Sequence, residues 1–139
     1  MWKILREGFD YDLWANRQWL SFLVEDSDRT IMAHILSAQR VWLERLDGVS
    51  LTAMPVVELS ENTLSEFHRR WVDAMTGEDR LIEFHRTTGE PGSLSLSLIA
   101  RHVINHGTYH RGEIRGLHLA RGSDAFPETD IARWASVRD

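Results

Sequence analysis

The chain has 139 residues, with 16 Lys plus Arg against 21 Asp plus Glu, 7 His and no Cys. That length, with 42% hydrophobic and 27% charged residues, points to a single domain over 1–139 with its own core, and excludes a disordered chain. Without cysteine there is no disulfide framework, iron-sulfur cluster, thiolate zinc site or cysteine nucleophile. A formal charge of -5 gives phosphate backbones no broad attractive surface, so nucleic acid is not an expected partner. The first residues lack a signal-peptide pattern and no run of about 18 apolar residues occurs, so the expected setting is the cytoplasm, away from membrane.

From about Trp2 to Val24, the residues Leu5, Phe9, Leu13, Asn16, Leu20 and Leu23 recur at steps of four and three, which predicts an amphipathic helix. Glu25-Asp26-Ser27-Asp28 supplies turn and cap residues. Ile31, Ile35, Ala38, Val41, Trp42 and Leu46 then mark a second helix, ended by Asp47-Gly48. Residues 49–59 lose periodicity around Pro55 and read as a long loop. Ser60 caps a third helix through Leu64, Phe67, Trp71 and Met75, with Thr76-Gly77 at its end. Residues 81–92 predict a small hairpin, and Ser93 or Ser95 a cap for a long fourth helix reaching about Ala120. The fourth stripe contains Ile99, His102, Val103, His106, His110, Glu113, Ile114 and Leu117, with Gly122 at the terminal cap. Ile131, Trp134 and Val137 predict a short docking helix. Four comparable helices make an all-α four-helix bundle the expected architecture.

His106 and His110, four apart, project from one helix face and can converge on one ion. The third ligand expected is His34, on or beside the apolar stripe of the second helix. The alternative, His102, shares a straight helix with the other two, which does not readily close around an ion held about 2.0 to 2.1 Å from each nitrogen. Three neutral imidazoles suit zinc, nickel, copper or iron(II) and leave a coordination position open. Such a centre serves either hydrolysis or thiol transfer by lowering the pKa of water or a thiol.

A metal-bound imidazole usually donates its other N–H to a carboxylate or carbonyl. Glu113, three residues beyond His110, is a candidate for that partner or for a general base, with an ion pair to Arg111 or Arg115 as the plainer reading. Asn16 and Asp12 on the first helix, and His102, are further candidates to surround the ligands. His68, His85 and His118 read as structural or exposed. Trp14 and Trp19 do not both fit an inward face with Leu13 and Leu20, so one is expected to mark a partner surface, and a homodimer is the expected assembly.

These elements resemble the DinB-like family of four-helix bundles with a three-histidine metal site. The resemblance rests on Tyr11-Asp12-Leu13-Trp14-Ala15-Asn16, on His34-Ile35-Leu36-Ser37-Ala38 with Trp42, and on Asn105-His106-Gly107-Thr108-Tyr109-His110-Arg111-Gly112-Glu113-Ile114. It extends through Gly122, Pro127 and Asp130. It implies that His34, His106 and His110 are the ligands, that the ion is divalent, zinc or nickel, and that no DNA binding follows from the family's name. At Glu113 the family's motif commonly has Gln. Members of the wider superfamily include bacillithiol S-transferases and mycothiol-dependent maleylpyruvate isomerases, which implies activation of a low-molecular-weight thiol for attack on a small electrophile. A metal-dependent hydrolase and a noncatalytic metal- or ligand-binding bundle are the alternatives.

Overall fold

The computed structural model describes residues 1–138. Its elements are α1 (Lys3–Leu20), α2 (Asp26–Leu46), α3 (Glu61–Ala74), β1 (Leu81–His85), β2 (Pro91–Ser95), α4 (Leu96–Ala120) and α5 (Ile131–Val137). The expected caps hold: the Ser60 hydroxyl accepts from the Thr63 N–H, and the Ser95 hydroxyl from the Leu98 N–H, each at 3.2 Å. Leu81 to His85 pair antiparallel with Pro91 to Ser95, so the predicted hairpin is present and feeds directly into α4. α1 stops at Leu20, earlier than the periodicity predicts, and Ser21 to Glu25 make the turn.

α1 packs on α3 and α4, and α2 packs on the same two helices, which closes a ring of four. Helix directions follow from which residues meet. Phe9 stacks on Trp71 while Arg17 pairs with Glu61, so α1 and α3 are antiparallel. Asp28 meets Arg121, His34 meets His106, and Trp42 meets His102, so α2 and α4 are antiparallel as well. Gly8 lies against Ile104 and Asp12 against Arg111, which makes α1 and α4 parallel. α2 and α3 therefore point the same way, and the chain must return along the bundle between them. The loop at 49–59 is long for that reason. It is tied down as it goes, by the His85 N–H to the Ser50 hydroxyl at 2.9 Å and by the Ser37 hydroxyl to the Pro55 carbonyl at 2.8 Å.

The main core runs through all four bundle helices and the hairpin, with Trp71, Met32, Met75, Leu96, Ile99 and Ile114 fully enclosed. Tyr11, Ala15 and Trp134 form a second cluster under α5, with Trp14 packed against it. Trp19 is also buried, stacked on Phe126 and donating its indole N–H to the Thr129 hydroxyl at 3.1 Å. The chain's own C-terminal segment thus covers Trp19, whereas Trp14 stays partly exposed beside the second cluster.

Two buried ionic clusters link the helices. Asp28 accepts from both Nη groups of Arg121 at 3.0 and 2.8 Å and from the backbone N–H groups of Val24 and Glu25 at 3.2 Å, with His118 Nε2 3.3 Å away. Burial works against its charge, but the Arg121 hydrogen bonds, the Glu25 N–H and His118 hold the carboxyl below its usual range. His118 is therefore an enclosed structural residue, its Nε2 also 2.9 Å from the Phe22 carbonyl. The second cluster lies beneath the candidate site. No helix is long and apolar enough to cross a membrane among the described residues.

Candidate metal centre

The antiparallel contact of α2 and α4 sets one imidazole of α2 opposite two of α4. His34 Nε2 lies 3.1 Å from His106 Nε2, and the three ring centroids are 4.4 to 4.9 Å apart. One nitrogen from each of His34, His106 and His110 lies within 4.8 Å of the other two. Ligands held by tetrahedral zinc at about 2.0 to 2.1 Å are separated by about 3.3 Å, so small rotamer adjustments suffice to bring these donors onto one ion. His110 Nδ1 is hydrogen-bonded to Glu113 Oε1, which leaves Nε2 as the free donor and fixes the ring's orientation.

The imidazoles lie at the rim of the bundle rather than in its sealed centre. His34 is exposed and the other two are half-buried, while the fully buried stripe of α4 passes through Val103, Gly107, Arg111, Ile114 and His118. Ions and small molecules can therefore reach the site without the bundle opening. Burial and the neighbouring imidazoles also favour the neutral form of His34 and His106. His106 is pushed down to about 4, chiefly by desolvation, then by His110, His34 and His102, with Glu113 opposing. His34 is lowered from its ordinary value by desolvation and by His110, again with Glu113 opposing. Neutral imidazoles are the form that binds metal.

His102 stays outside the cluster. It faces the edge of Trp42 at a centroid distance of 5.8 Å and lies 5.6 Å from the His106 ring. Asp12 and Asn16, expected near the ligands, face another way. Arg111 Nη1 donates to Asp12 Oδ1 and Asn16 Oδ1 at 2.8 Å each, the Gln39 amide donates to Asp12 Oδ2 at 2.8 Å, and the Trp71 indole N–H donates to Gln39 Oε1 at 3.2 Å. None of these bonds reaches an imidazole. Asp12 and Asn16 belong to a buried network that joins α1, α2, α3 and α4 next to His110, and their part in the site is to hold those helices in place.

That network depends on Gly107. A Cβ there would stand 2.7 Å from Asp12 Oδ1 and 2.9 Å from Arg111 Nη1, so only glycine lets α1 and the guanidinium approach α4 this closely. The complementary pairs, Asp12 with Asn16 on one helix and Gly107 with Arg111 on the other, are each spaced by four, a pattern visible in the sequence once the two helices are known to touch. Periodicity read for apolar residues alone passes over it.

Comparison with known proteins gives the family of the chain. A family model described as DinB family matches residues 24–122, a span that contains all three histidines. Protein DinB of Bacillus subtilis (strain 168) is 22% identical over 149 residues, covering 86% of this chain and 87% of that protein. No solved structure matches.

Proposed function

The chain belongs to the DinB family, and from that membership and the His34, His106 and His110 cluster we propose that it is a metal-dependent enzyme acting on a small molecule, with a low-molecular-weight thiol as the expected nucleophile. The observation that carries this reading is the convergence of three imidazoles at a rim open to solvent, with burial disfavouring the charged form of His34 and His106. The donor set is all nitrogen, which fits zinc or nickel, and it leaves room for another ligand. A divalent ion there supplies Lewis acidity, lowering the pKa of a thiol or water.

The residues of the chain have separable roles in this proposal. His34 brings α2 to the site, and His106 and His110 anchor α4. Glu113 holds the His110 tautomer that points Nε2 inward, and its negative charge makes that ring a better donor. A Glu113 so engaged is a positioning residue rather than a free general base, which favours thiol transfer over metal-assisted hydrolysis. The Asp12, Asn16, Gln39 and Arg111 network keeps α2 and α4 at the spacing the three donors need. The proposed setting is the cytoplasm.

Turnover of small electrophiles by zinc- or nickel-loaded protein, with and without added thiol, tests the proposal. Thiol-dependent turnover that disappears in His106→Ala supports it. Turnover without thiol indicates hydrolysis, and metal-dependent stability with no turnover on thiol or ester panels indicates a noncatalytic bundle.

A further inference from the structure

Two arginines of the bundle are buried, and only one has a partner. Arg111 is held by Asp12 and Asn16, as described above. Arg45, near the C-terminus of α2, is 8% exposed, yet its side chain makes no hydrogen bond or ion pair among the described residues. Its Nε is enclosed without an acceptor, whereas the two Nη groups, also without protein partners, retain contact with solvent. The guanidinium lies between aromatic rings, with Cζ 4.4 Å from the centroid of Trp42 and 4.6 Å from that of Phe84. These ring faces attract a cation but offer none of the oxygen acceptors that its five N–H donors take. The charge of Arg86, which has the same sign, acts against it as well. A positive group set in an aromatic wall, repelled by its neighbour and open only at its forked end, lacks an anion.

Its position relates it to the imidazoles. Residues 34 and 45 are eleven apart on α2, which places them on nearly the same face and about 16 Å apart along the axis. Side chains lean toward the helix N-terminus, which in α2 is the direction of His34. Trp42 bridges the gap, facing Phe84 at 5.1 Å on the hairpin and His102 at 5.8 Å on α4, and His102 is 5.6 Å from His106. The α2–α4 seam thus has a cation at one end and a cluster of metal-ligating type at the other.

We propose that Arg45, flanked by Trp42 and Phe84, is a carboxylate-binding subsite that recognises the acid end of a small anionic molecule whose other end reaches the His34, His106 and His110 cluster. The forked pair of Nη groups matches the two oxygens of a carboxylate. The assignment of a substrate rests on the metal-centre reading, while binding of the anion does not.

The experiment has two arms, both on the full chain. In the first, metal-free 15N-labelled protein is titrated with succinate, and the Arg45 Nε–H and Trp42 indole N–H resonances are followed. Saturable shifts of both are expected, with none from neutral succinamide and none in Arg45→Met. Arg45→Met is expected to fold with an unchanged or higher Tm, because it removes an unpaired buried cation. Arg45→Lys, which keeps charge but loses the fork, is expected to bind succinate at least about tenfold more weakly. No saturable shift, an equal response to succinamide, or a marked loss of Tm in Arg45→Met would overturn the proposal, the last by showing the guanidinium to be a structural strut. In the second arm, cobalt-loaded protein is titrated with ω-mercaptoalkanoates of increasing length and with their carboxamides. A carboxylate preference of about tenfold at one length, lost in Arg45→Met, is expected from a charge-assisted pair. Equal affinities at every length would overturn the link to the cluster. Failure to take up cobalt would instead refute the metal-centre reading, leaving the anion site to be decided by succinate.

Discussion

Glu113 is bonded to His110 Nδ1 at the rim of the site, so its removal isolates the contribution of a residue that supports a ligand without being one. Carboxylates in this position are typically worth 10- to 100-fold in metal affinity. Glu113 is 48% exposed at its side chain, and water screens its charge, which places Glu113→Ala at the lower end, about tenfold or 1.4 kcal/mol. Glu113→Gln keeps an acceptor for the imidazole N–H but loses the charge. A neutral hydrogen bond has roughly half the strength of a charge-assisted one, so the expected loss is about threefold. Competition for Zn2+ against a chromophoric chelator at neutral pH measures both, with circular dichroism to show that helix content is unchanged. Wild-type affinity in Glu113→Ala, alongside complete loss in His110→Ala, would refute the assigned role and leave the Glu113 contact as a surface ion pair.

Gly107→Ala drives a methyl group against Asp12 and Arg111. An overpacking cost of about 1 to 3 kcal/mol is expected, a fall in Tm of roughly 4 to 12 °C by thermal denaturation. Asp12→Ala leaves Arg111 buried without its anion and should cost about 3 to 5 kcal/mol, whereas the double variant Asp12→Leu/Arg111→Met should recover most of that in urea denaturation. The depressed His106 pKa, about 4 against 6.5 in the unfolded chain, means that the unfolded state binds more protons between those values. The metal-free protein should therefore lose stability as pH falls from about 6.5 toward 4, and His106→Ala should flatten that part of the profile.

Much of the fold was legible because its signals are local. Ser60, Ser95 and Asp47-Gly48 mark helix ends through hydrogen bonds and backbone geometry that involve only their neighbours, and the hairpin turns at Gly89, whose φ is positive, with Pro91 and Gly92 already paired in β2. His34 was separable from His102 because a straight helix limits what three of its own residues can surround. What escaped depends on which helices touch. Of the stripe that periodicity predicts for α4, Ile99, Val103 and Ile114 are buried, but between them the inward face passes through Gly107 and Arg111 rather than His106 and His110, because the close approach of α1 makes a glycine and a paired arginine better core residues there than imidazoles. For the same reason Asp12 and Asn16 pointed toward the ligands in a one-helix reading and toward Arg111 in the folded bundle. The burial of Trp19 and Tyr11 needs the C-terminal segment, whose contact with α1 spans more than a hundred residues of sequence and has no local trace. Arg45 carries no local signal of its own, because its enclosure depends on Phe84 of the hairpin folding against it and Trp42.

The most direct test of the metal-centre account is elemental analysis of protein purified without a metal-affinity tag and then reconstituted, comparing wild type with His34→Ala, His102→Ala, and the His106→Ala/His110→Ala double variant. The account predicts one zinc or nickel ion per chain in wild type and in His102→Ala, and none in the other two. A wild type that takes up no metal after reconstitution, or a His34→Ala that keeps the ion while His102→Ala loses it, would contradict it.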